Sequence, residues 1–111
     1  MTSLQIVHLF HILIVGSLFL YVGIQQTHIP FWLYPILLAL GVIIIGYHSY
    51  LAYVRIQKGI SAWINYIHIL LIGPVLVYIG IKKENTPRRF FEILLMLGFA
   101  SIGYHSYYLF L

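Results

Sequence analysis

Six histidines stand in a chain that has only two acidic residues and no cysteine, and their spacing is the first sign of chemistry. His11 and His68 each open the tripeptide His-Ile-Leu, while His48 and His105 each sit at the centre of Gly-Tyr-His-Ser-Tyr. A neutral imidazole is the commonest metal ligand, and it is also the side chain whose charge changes near neutral pH. Without thiols there is no disulfide scaffold, thiolate metal site, iron–sulfur cluster or cysteine nucleophile. Glu84 and Glu92 are too few for most carboxylate chemistry. Three uses of His11, His48, His68 and His105 stay open. They could ligate haem or a divalent metal ion such as zinc or copper. They could gate or relay ions or protons. They could also do no more than hydrogen-bond neighbouring helices together.

Other polar residues crowd the same stretches. His8 lies one turn before His11, and Asn65 lies one turn before His68. Tyr47, Ser49 and Tyr50 flank His48, and Tyr104, Ser106 and Tyr107 flank His105. These residues are read as a pocket or supporting shell. Gly41 and Gly98 each precede a histidine by seven residues, which is nearly the same helix face about two turns away. Bare backbone there would leave a flat slot of the kind a haem edge needs, so Gly41 and Gly98 join the candidate cofactor site.

The elements that must position these residues follow from composition. Of the 111 residues, 62% are hydrophobic and 7% charged, with a mean hydropathy of +0.99. An ordinary globular surface needs about a quarter of its residues charged. The solvent is therefore lipid. Runs of about 20 apolar residues suit a bilayer core about 30 Å thick, and such runs are predicted at about 4–24, 31–54, 61–81 and 88–111. Pro30 and Pro87 mark helix starts, where a missing N–H is harmless. Pro74 lies inside the third run and is expected to kink it. The first run lacks a basic leader and a small-residue cleavage pattern, so it is read as a retained helix rather than a signal peptide.

A shift of 57 residues lays one half of the chain on the other without a gap, matching 8–54 with 65–111. Apolar matches are cheap in so greasy a sequence. Paired Gly, His and Pro positions are not, and eight of the nine glycines fall into such pairs. The expected fold is all-α: a polytopic four-helix membrane bundle, a single transmembrane domain made of two tandem helical hairpins, with a pseudo-two-fold axis along the membrane normal. Counting 1.5 Å per residue puts His11, His48, His68 and His105 at one depth, on the order of 10 Å inside one face. Intramembrane ionisable groups suggest function by default. Four-helix membrane cytochromes of the b type share the idea of facing helical histidines, although the chain carries no motif specific to them.

Four spans place both termini and the 55–60 loop on one side. Lys82, Lys83, Arg88 and Arg89 on the other side outnumber Arg55 and Lys58, which makes the terminal side non-cytoplasmic by the positive-inside rule. The expected partners are the lipid bilayer and either further copies or a larger membrane complex, and no nucleic acid. No enzyme motif is present. The leading expectation is a haem or metal binder used in electron transfer. An oligomeric ion or proton channel or transporter, and a structural subunit of a larger complex, are the alternatives.

Overall fold

The computed structural model describes residues 1–111, which are helical almost throughout and include no strands. Four helices are long and apolar enough to cross a membrane: α1 (Ser3–His28), α2 (Leu33–Gln57), α3 (Trp63–Asn85) and α4 (Arg88–Phe110). Large apolar side chains cover their outer faces, with Leu70 at 74%, Ile43 at 64% and Phe99 at 61% exposure. Apolar area on this scale is incompatible with a water-bathed monomer.

The chain divides into two compact units. One holds α1 and α4 (residues 1–29 and 87–111), and the other holds α2 and α3 (residues 30–86). Each unit thus takes one helix from each half of the sequence. Neither unit therefore consists of the two helices of one half of the sequence. The 57-residue correspondence in the sequence pairs positions but does not say which helices share a core.

Within each unit the helices run antiparallel, because contacts pair rising numbers on one helix with falling numbers on the other. Glycines set the approach. A Cβ on Gly23 would lie 2.7–2.9 Å from the Leu95 backbone and Cβ, and one on Gly80 would lie 2.6–2.8 Å from those of Leu38. Close approach of this kind is how helices associate in lipid, where packing replaces hydrophobic exclusion. The side chains buried most completely are Phe19, Val22, Phe91 and Leu94 in the first unit, and Leu76, Ile79, Tyr34 and Leu37 in the second. They form four pairs of positions 57 apart.

One member of these pairs carries an oxygen. The Tyr34 hydroxyl is buried with no hydrogen-bond partner, and the position 57 residues on is Phe91, fully buried without one. An unsatisfied buried hydroxyl costs roughly 1–3 kcal/mol. Tyr34→Phe is therefore expected to raise stability by about 1 kcal/mol in an unfolding titration in mixed detergent micelles. A loss of stability would mean instead that the hydroxyl holds a buried water.

The helices are interrupted at two matching places. Residues His11–Val15 and His68–Ile72 are single π-helical turns. Pro74 follows the second, but Ser17 occupies its counterpart in the first, so proline is not the cause. A π segment thus precedes Pro74 in α3 and recurs at the matching place in α1. Each of α1 and α3 also ends in a 3-10 turn entered through a positive-φ residue, Gln26 (φ 54°) and Lys83 (φ 53°). Side chains pay steric strain there that glycine escapes. Gln26→Gly and Lys83→Gly are each expected to raise the thermal midpoint by an amount worth ~1 kcal/mol.

Candidate functional site

Each unit gathers its histidines by the same local rules. In the first, the π turn beginning at His11 follows the α-helical stretch Ser3–Phe10, whose start is capped by Thr2 and Gln5 in a reciprocal capping box. The ring of His11 turns back so that its Nδ1 lies 2.7 Å from the carbonyl of Val7. A carbonyl only accepts, so the imidazole nitrogen must be the donor. His68 makes the same bond to the carbonyl of Ile64, at 2.8 Å. When neutral, both rings are thus held as the Nδ1–H tautomer, with the lone pair on Nε2. Each of these histidines opens a π turn.

Across each unit a second histidine lies flat against the first. His105 stacks on His11 with centroids 4.2 Å apart and planes 21° apart, and His48 stacks on His68 at 3.8 Å and 14°. Sequence counting expected facing histidines at matching heights, and within each unit the structure brings these pairs together. All four rings are half-buried.

A third residue completes each cluster and distinguishes the two. Nδ1 of His105 lies 2.9 Å from Nδ1 of His8, whereas Nδ1 of His48 lies 2.8 Å from Oδ1 of Asn65. His8 is 8% exposed and Asn65 6%. The amide oxygen accepts, so His48 donates from Nδ1. Between His8 and His105 one nitrogen donates and the other accepts, in either direction. Tyr108 stacks on His8 at 6.2 Å and 17°, and Tyr104 meets the edge of His105 at 5.1 Å.

Sequence reasoning placed His8 on the same helix face as His11 and paired it with Asn65, but missed Tyr108. The signal available was its spacing of three residues from His105. Others of the expected shell lie elsewhere. Tyr47, Tyr50 and Tyr107 are 58%, 64% and 59% exposed and Ser49 is exposed too, so these side chains look outward rather than line a pocket. Tyr47 keeps only an edge contact with its neighbour His48, and Ser106 is half-buried.

The expected cofactor slots are closed. A Cβ on Gly41 would sit 2.8 Å from the carbonyl oxygen of Gly73 and 2.9 Å from the backbone nitrogen of Val77; one on Gly98 would sit 3.1 Å from the backbone nitrogen of Leu20. Both glycines serve helix contact, and the neighbouring backbone fills the space reserved for a haem edge. Stacking also works against ligation by both rings of a pair. A lone pair lies in its ring plane, and one ion cannot lie in two nearly parallel planes about 4 Å apart. No group of three or more His, Asp or Glu side chains is arranged to hold a metal ion.

At the start of α4, Arg88 and Glu92 form the i, i+4 contact that their spacing predicts, at 3.8 Å, with both side chains exposed. Such a pair is structural and weak. Comparison with family models, curated proteins and solved structures finds no match to the chain.

Proposed function

We propose that the chain is an integral membrane protein that handles protons, its imidazole clusters forming a relay or gate in an ion pathway. The observation that carries this reading is the 2.9 Å contact between the Nδ1 atoms of His8 and His105, with His11 stacked on the latter. An imidazole passes a proton by taking one on one nitrogen and releasing another from its second. Haem or metal ligation would need Nε2 atoms converging on one point with open space around them, and the stacked rings and closed glycine contacts argue against it.

Further support comes from the correspondence at 57 residues. The histidine stacks, the backbone bonds of His11 and His68, the π turns, the positive-φ residues and the buried side chains all recur at that interval. A tandem duplication of a helical hairpin accounts for them together. In a bilayer, four spans put both termini and the 55–60 loop on one side, and the four-to-two basic bias makes that side non-cytoplasmic.

The test is purified protein reconstituted into liposomes containing a trapped pH dye, with a potassium gradient and valinomycin as driving force. Proton entry well above that of empty liposomes is expected. A rate equal to empty liposomes at all protein densities overturns the reading.

A further inference from the structure

The two histidine clusters differ at two positions, where His8 and Tyr108 of the first correspond to Asn65 and Leu51 of the second, and the first of these differences bears on what each can do with a proton. We infer that the His8–His105 dyad can pass a proton by reversing its hydrogen bond, and that Asn65 holds its counterpart, His48, as the Nδ1–H tautomer. This deepens the proton-handling reading by naming which of the two clusters is active.

Proton accounting in the first unit closes. Start with His105 as the Nδ1–H tautomer, donating to Nδ1 of His8, whose own proton is on Nε2. A proton arriving on Nε2 of His105 makes an imidazolium. Its Nδ1–H bond then breaks as the proton crosses 2.9 Å to Nδ1 of His8. His8 releases its Nε2 proton. One proton has entered and one has left, no electrons have moved, and the hydrogen bond survives with its direction reversed.

The same steps stop in the second unit. Oδ1 of Asn65 accepts the Nδ1–H of His48 at 2.8 Å but has no second acidic proton to release. No proton passes onward from His48 through Asn65. The backbone carbonyls of Val7 and Ile64 accept Nδ1–H of His11 and His68 in the same way.

The titratable groups facing the dyad within its unit are His11 from α1, against His105, and Tyr104 and Tyr108 from α4, against His105 and His8 respectively. None carries a fixed charge. The charged side chains of α4, Arg88, Arg89 and Glu92, lie 13 or more residues from His105, which is about 20 Å or more along a helix.

The discriminating experiment exchanges the hydrogen-bonding residue that differs. His8→Asn gives the first unit the pairing the second already has, and Asn65→His gives the second the dyad of the first. Each keeps a hydrogen bond, so each should fold, and circular dichroism melts check that. In the full-length protein labelled with 15N-histidine in lipid, neutral wild-type His105 should show Nδ1 and Nε2 shifts averaged between the two tautomers, while neutral His48 stays at the Nδ1–H values. In His8→Asn, His105 should collapse to the His48 pattern, and in Asn65→His a second averaged pair should emerge.

His48 averaging like His105 in the wild type overturns the inference, as does His105 averaging unchanged in His8→Asn. The liposome assay separates this from the broader reading. Absence of wild-type flux with the expected spectra sinks transport and leaves the dyad. Flux undiminished in His8→Asn sinks the dyad and leaves transport.

Discussion

Gly80→Leu and Gly23→Leu are each expected to destabilise the protein by on the order of 3 kcal/mol, more than a hundredfold in the folding equilibrium, measured by unfolding titration in mixed micelles. The cause is what the new side chain would strike. At Gly80 the first added carbon already falls 2.7 Å from the Leu38 backbone nitrogen, and at Gly23 it falls 2.9 Å from that of Leu95. Backbone in a helix does not step aside as a side-chain tip does. Gly16 supplies the contrast, because its closest obstacle is the flexible Ile102 side chain, so Gly16→Ala should cost less than Gly23→Ala. Gly46 has nothing within 4 Å, and Gly46→Ala is expected to be neutral or to stabilise by roughly 0.5–1 kcal/mol. A Gly80→Leu protein that unfolds within 1 kcal/mol of wild type would mean that α2 and α3 do not approach through this glycine.

These same glycines show how much could be read from the chain before any coordinates. The four spans were legible because a bilayer demands about 20 apolar residues per helix, and little else accounts for so few charges. Matching of His11 with His68 and of His48 with His105 was legible because Gly and His pairs are rare by chance in an apolar sequence. From matching alone, however, a glycine on the histidine face reads equally well as a slot for a flat ligand or as a seat for another helix. Gly41 turned out to be a seat, occupied by Gly73 and Val77. The π turns were not legible at all. No letter marks them: His11–Val15 and His68–Ile72 are ordinary apolar runs, and the one conspicuous residue nearby, Pro74, has serine at its counterpart. The partition of helices between units was hidden for a related reason. Packing in lipid depends on small residues meeting in register, and a sequence records each glycine without recording the helix it meets.

His105→Gln is expected to reduce proton flux into liposomes at least tenfold while leaving the unfolding midpoint near that of wild type. Glutamine can still bond the Nδ1 of His8 through its amide, so much of the packing and the hydrogen bond survive. What it removes is the ability to take a proton on one atom and release another. His105→Ala removes the ring as well, and with it the stacking partner of His11 at 4.2 Å and the bond to His8, so it should lose both flux and stability. Free imidazole added to His105→Ala liposomes should recover part of the flux, because a small diffusible ring restores the missing relay atom pair, and it should do nothing for His105→Gln, where the site is filled. His28→Ala serves as the control, since that ring sits in the 3-10 turn that ends α1, against the carbonyl of Gln25. Flux in His105→Gln within twofold of wild type would show that protons cross without this ring, and the stacked imidazoles would then be only the polar contacts that hold each helix pair together.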